Sequence, residues 1–165
     1  MTTLLAEQQS MIAAALRNAA TPTVVTPSVD YLVFQGRAAL MAIAAEQIVE
    51  IVPRAVISRL PWAPRYVAGV CAVRGRVVPV VQLDEAVQGD LVAVTTMALP
   101  RMVIVQTDDL ELGLLAEHTF GLYAFTDEEL IVTPGGLCSA RTTWRGAALH
   151  VLSAATIAAA VRAST

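Results

Sequence analysis

Gly69–Leu83 reads GVCAVRGRVVPVVQL. Two valine-rich stretches flank a single Arg-Gly. The first, VAGVCAV from Val67, and the second, VVPVVQL to Leu83, have the β-branched content of buried strands. Arg74-Gly75-Arg76 between them is the turn, and Gly75 supplies the positive φ that a tight hairpin needs. Pro79 cannot donate to a ladder, so its strand is expected to lie at an edge or to carry a bulge there. A solvated turn arginine is the simplest account of Arg74. A fixed cation needed for function is the other.

The same rhythm recurs on both sides. YLVFQ, Gly36-Arg37 and AALMAI read as a hairpin from Tyr31. Ala44 to Glu46 reads as one helical turn, and QIVEIV (47–52) as a strand. Pro61 and Pro64 exclude regular structure in SRLPWAPRY, where Trp62 is expected to plug the core. Trp144 and Met41 read as core residues too. Residues 84–100 read as a loop. RMVIVQT, Asp108-Asp109 and LELGLLAE form a third hairpin, and Phe120 to Ala124 a further strand. Thr126-Asp-Glu-Glu129 has the form of a capping box and should open a helical turn. Pro134-Gly135-Gly136 breaks the chain. Trp144-Arg145-Gly146 is a turn before the last strand, AALHVL, and Ser153 caps a closing Ala-rich helix that runs to about Arg162. Residues 3–20 read as an amphipathic helix with Leu5, Ile12 and Leu16 on one face. Thr21-Pro22 stops it, and a linker follows to Ser28. Residues 1–29 are therefore an extension, and 30–165 the main domain. The sum is all-β, with strands in two sets before and after 84–100, and no internal repeat stands out in the residues.

Composition narrows the function classes. Of 165 residues, 56% are hydrophobic and only 15% charged, so the surface carries apolar side chains and invites self-association. The net charge is −3 with no basic run, which argues against nucleic acid and against an anionic membrane surface. The start lacks a basic region ahead of an apolar core, and no apolar run approaches about 18 residues. A cytoplasmic chain without membrane insertion is expected.

No phosphate-binding or nucleophile motif occurs. Cys71, Cys138, His118 and His150 are spaced like no zinc site, and no metal or cofactor is expected. Cys71, inside a valine-rich strand, reads as an inert thiol, and His150, alternating with apolar residues, as a half-buried structural histidine. The carboxylates at Asp108-Asp109 and Asp127-Glu128-Glu129 have local roles at a turn and a helix start. Polar groups are punctuation between apolar strands, which favours action through a surface over catalysis. A ligand- or cofactor-binding β-barrel is the alternative.

The motif GVxxxRGxxxPVVxL resembles the CheW family of chemotaxis scaffold proteins. Gly69, Val70, Arg74, Gly75, Pro79 and Leu83 match its pattern, and Glu50 in IVEI falls where the family has a glutamate. LELGLLAEHTFGLYAFTDEEL and WRGAALHVLSAATI resemble later family segments, so the likeness covers about residues 30–160. The family's Asn-Leu before the arginine is Ala72-Val73 here, and its aspartate after the proline is Gln82. The resemblance implies two small five-stranded β-barrels packed on a shared core, with short helices at the ends. It implies a non-catalytic adaptor that joins a chemoreceptor's cytoplasmic tip to the regulatory domain of a CheA-type histidine kinase, within receptor arrays at the inner membrane. The output would be chemotaxis or a related pathway such as type IV pilus control. The expected partner-binding residues are Ile48, Glu50, Gly69, Val70, Arg74, Gly75 and Pro79. Glu50 and Arg74 are expected to meet across adjacent strands in a groove between the barrels, with Ile48 and Val70 receiving the receptor helix.

Overall fold

The computed structural model describes residues 6–13, 25–37, 39–83, 100–133 and 136–163. Residues 6–13 are helical (α1), as expected of 3–20. Most of the linker and of the 84–100 loop, with Pro134 and Gly135, lie outside the described residues.

Eleven strands follow: β1 Ser28–Gln35, β2 Leu40–Ala44, β3 Ile48–Pro53, β4 Val67–Val73, β5 Arg76–Val81, β6 Arg101–Gln106, β7 Glu111–Ala116, β8 His118–Thr126, β9 Ile131–Val132, β10 Cys138–Trp144 and β11 Ala147–Leu152. A 3₁₀ turn, Ala45–Gln47, separates β2 from β3, and helix α2, Ala154–Ala163, ends the domain. The three expected hairpins form as β1–β2, β4–β5 and β6–β7. The strand read at 120–124 is longer, because β8 pairs along the whole of β1. The capping box closes as expected: the Thr126 amide donates to Glu129 Oε2 at 2.7 Å over one turn. Ser153 accepts from the Thr156 amide at the start of α2.

Two sheets result, ordered β8-β1-β2-β11-β10-β9 and β3-β6-β7-β5-β4. The expected all-β fold of two small sheet subdomains holds; one has six strands rather than five, and neither sheet closes into a barrel. In the smaller sheet a single bridge, Ser58 to Val70, brings the chain leaving β3 back to β4. Two prolines at 61 and 64, and the turns at 61–62 and 65–66, keep that contact from growing into a ladder.

The period-2 alternation of the strands sorts side chains into three cores. Phe34, Met41 and Ile43 from one sheet meet Val103, Val105, Leu112 and Leu114 from the other, with Ile157, Ala158 and Val161 of α2 between them. The intervening residues fill each sheet's own concave side. Val33, Ala42, Phe125, Trp144 and Leu149 do so in the larger sheet, and Cys71, Val78, Val80, Met102 and Ile104 in the smaller. This is why the central strands β6 and β7 are apolar without alternation: both faces are covered. Each large side chain buried this way contributes about 1.5–3 kcal/mol.

The sheets share one connectivity. In each, an edge strand flanks a hairpin, whose second strand pairs in parallel with the second strand of another hairpin. The series is β8-β1-β2, then β11-β10, in one, and β3-β6-β7, then β5-β4, in the other. A repeat invisible in the residues is therefore present in the topology.

Pro79 lies on β5, an interior strand rather than an edge. The ladder to β7 takes up only Val80 and Val81, beyond the proline. The register shift falls on the neighbouring β4, between Val67 and Gly69.

Candidate functional site

Arg74 and Gly75 form a two-residue turn with φ +49° and +79°, the paired positive values of the turn type that matches strand twist. Arg76 already belongs to β5. The geometry lifts the Arg74 side chain off the hairpin end, where it is 75% exposed. Its Nη2 lies 2.9 Å from Oε2 of Glu50, whose side chain is only 19% exposed.

Glu50 sits on β3, which alternates half-buried and exposed residues, with Glu50 on the covered side. The expected meeting of Glu50 and Arg74 occurs, but not across adjacent strands. β3 and β4 are the two ends of the five-stranded sheet. The ion pair therefore spans the open seam of a curled sheet and stands beside the Ser58–Val70 bridge. That bridge is doubly hydrogen-bonded, at 2.8 and 2.9 Å. Gly69 makes it feasible. A Cβ there would lie 2.1 Å from the Ser58 carbonyl oxygen, and φ is +145°. Val70 carries the bridge, and Pro79 faces it from β5. Five of the seven expected residues thus gather along the seam with Gly75 at its end: Glu50, Gly69, Val70, Arg74 and Pro79. Ile48 does not join them, because it packs against the shared core.

The larger sheet holds a counterpart. Arg145-Gly146, between β10 and β11, repeats the turn with φ +50° and +79°. Where the smaller sheet has a carboxylate, this one has aromatics. Arg145 lies 4.4 Å above the Trp144 ring and its Nη2 donates to the Tyr123 hydroxyl at 3.1 Å. Tyr123 and Phe120 of β8 pack against Trp144 at 5.1 and 4.9 Å. Trp144 and Met41 are buried, as expected. Trp62 is the opposite. Expected as a plug, it is 99% exposed with φ +65°. Flanking prolines hold it at a turn tip, away from any strand that could cover it.

Reactive groups are quiet. Burial pushes the Cys71 and Cys138 thiols up, away from the nucleophilic thiolate, with Arg141 partly offsetting this at Cys138. His150, more buried than expected, is pushed down by burial and then by Arg141, and its Nδ1 has no hydrogen-bond partner. Among the described residues no group of three or more His, Cys, Asp or Glu is placed to hold a metal, and no helix is long and apolar enough to cross a membrane.

The model of the CheW-like domain matches residues 30–160. The chain belongs to the CheW-like family. The chemotaxis protein CheW of Thermotoga maritima is 25% identical over 93 residues, which is 56% of this chain and 60% of that protein. The match thus spans about three-fifths of the curated relative. The crystal structure of the scaffolding protein TtCheW from Thermoanaerobacter tengcongensis aligns with a TM-score of 0.62 at 15% identity, covering 77% of this chain and 90% of that one. At that identity the likeness to TtCheW is one of fold.

Proposed function

We propose that this CheW-like protein is a non-catalytic adaptor in a chemosensory pathway. It joins a chemoreceptor's cytoplasmic tip to the regulatory domain of a CheA-type histidine kinase, at receptor arrays on the inner membrane. The observation that carries this reading is the Glu50–Arg74 pair spanning the seam of the five-stranded sheet. An ion pair this exposed contributes only about 0–1 kcal/mol to folding. Its worth lies in fixing a guanidinium and a carboxylate at a defined place on the surface, where a partner's polar groups and apolar side chains can meet them.

Glu50, Gly69, Val70, Arg74, Gly75 and Pro79 form the partner-binding edge in this reading. Ile48 supports it from the core side. The curated relative is named for chemotaxis and the structural relative for scaffolding, which agrees with a coupling role. The concave interior of each sheet is filled by buried side chains, which disfavours the alternative of a ligand-holding barrel.

The test is co-purification from the native cell with the chain as bait. A CheA-type kinase or a chemoreceptor recovered with the wild type, and lost with Arg74→Ala, is the expected result. Recovery of neither partner overturns the reading.

A further inference from the structure

Residues 51–83 hold five arginines and neither Asp nor Glu, while the other six basic residues and all 14 carboxylates lie outside them. The whole-chain charge of −3 therefore conceals a positive pole on the smaller sheet. Arg74 and Arg76 at this pole are bound to Glu50 and Glu111. Arg54, Arg59 and Arg65, in the connection between β3 and β4, are exposed, and none of them forms an ion pair among the described residues.

The same connection exposes apolar side chains on a fixed backbone. Ala55 and Ile57 pack against the smaller sheet's core, and Val56 between them stands outward, 88% exposed. Ser58 is tied twice to the Val70 backbone. Val67 donates to the Pro64 carbonyl and Gln82 to that of Tyr66, at 2.9 and 2.7 Å, so the returning end is fixed as well. Between these anchors Leu60 and Trp62 stand at the surface, with Trp62 in a left-handed conformation that a bulky L-residue adopts only at a cost. Strain of this kind concentrates at functional places. Pro61 and Pro64 restrict the loop further, so presenting the ring takes little additional ordering. Apolar and cationic residues alternate along the loop instead of forming an apolar centre within a polar rim, which is the plan of a protein interface. They suit a lipid boundary better. Tryptophan settles at the headgroup level, and arginine lays its stem along apolar surface with its head at the phosphates.

We propose that the Trp62 loop is a peripheral anchor for an anionic lipid bilayer. Trp62, Leu60 and Val56 enter the boundary between headgroups and acyl chains, and Arg54, Arg59 and Arg65 bind the lipid phosphates above them. The acidic remainder of the chain is repelled by the same surface, which turns this loop toward the lipid and keeps the contact shallow. One tryptophan and three arginines give weak, reversible attachment. This anchoring goes beyond the adaptor reading and stands independently of it, because neither Glu50 nor Arg74 takes part and the chain alone suffices.

Trp62 supplies its own reporter. The other tryptophan, Trp144, is buried in the larger sheet, so a change of emission on binding comes from Trp62. The test titrates the full chain with vesicles of phosphatidylglycerol and phosphatidylcholine in equal parts, read by emission and by co-sedimentation. Emission should move to the blue, the chain should pellet with the vesicles, and high salt should release it. Vesicles of phosphatidylcholine alone should bind at least about tenfold more weakly. Arg59→Glu with Arg65→Glu should weaken binding at least about twentyfold, at about fivefold for each arginine lost. Trp62→Ala should pellet less and show no shift. Ile131→Ser, on the other sheet, should bind as the wild type does. All four positions are exposed, and unchanged circular dichroism and melting show that the variants fold. A wild type that does not pellet with anionic vesicles, a double variant that binds like it, or an Ile131→Ser variant that loses as much overturns the proposal. So does an equal blue shift with inorganic phosphate or with single-stranded DNA, which would assign the loop to a free anion or to nucleic acid.

Discussion

The two arginine-glycine turns have the same backbone and different neighbours. Arg74 and Arg145 sit at φ +49° and +50°, each followed by a glycine at +79°. Each turn joins the same two strands of the shared connectivity. Strand twist fixes the conformation of both turns, so the backbone alone distinguishes nothing. The side chain opposite does. In the larger sheet, Tyr123 and Phe120 converge with Arg145 on buried Trp144, and the seam is packed. In the smaller sheet, the seam is a backbone bridge at Ser58–Val70 and an exposed ion pair. One seam is built for stability and the other for presentation. Deleting side chains from the first should unfold, and deleting them from the second should uncouple.

The largest expected effect tests the exception, since the presenting seam has one position that the fold itself requires. Gly69→Val drives a side chain into the Ser58 carbonyl at a φ that disfavours any Cβ. It should cost about 4 kcal/mol or more in urea unfolding. Gly121→Ala, on β8 of the larger sheet, also sits at positive φ but with nothing within 4 Å of the added carbon. It should cost about 1–2 kcal/mol. Equal losses would show that backbone strain, rather than the Ser58 crossing, governs Gly69.

Trp144→Ala should cost about 3–5 kcal/mol by the same measurement, because it empties the aromatic seam. Arg145→Ala removes the stack on Trp144 and the bond to Tyr123 but leaves the packing, at about 1 kcal/mol. Arg74→Ala should lie within about 0–1 kcal/mol of wild type. Reversal of the last two in rank would collapse the distinction between the seams.

The larger sheet should also be the acid-sensitive one. His150, on β11, is held neutral by burial and by Arg141 on β10, so its folded pKa lies below its ordinary value near 6.5. The unfolded chain then binds the proton more readily than the folded one. Stability is full above pH 6.5 and falls as the pH drops below that value toward the folded pKa. Unfolding midpoints at pH 7.5 and 5.5 should show the decline, and His150→Phe should flatten it.

Much of this was legible in the residues, for definable reasons. Hairpins whose strands adjoin in sequence declare themselves through valine-rich runs and a glycine between them, as at Gly75. The capping box at Thr126–Glu129 and the Ser153 cap are likewise local, and both form. Non-local features were not legible. β10 alternates small and polar residues in CSARTTW, which carries little strand signal until β11 and β9 flank it. The return of the five-stranded sheet's two ends toward each other rests on a single bridge between Ser58 and Val70, which no composition announces. Trp62 was placed inside because large aromatics usually are. The prolines beside it said only that the chain was irregular, and not on which side of it the ring would stand. Of the expected site, Glu50 and Arg74 were paired through the family pattern. The seam they span emerged only from the strand order.

Titration calorimetry of the CheA-type regulatory domain into wild type and Arg74→Ala, with thermal melts of both, tests the central claim most directly. The account predicts binding by the wild type, a loss of about tenfold or more in the variant, and melting temperatures that coincide. Equal affinities for the two proteins, or a variant that binds less only because it has unfolded, would contradict it.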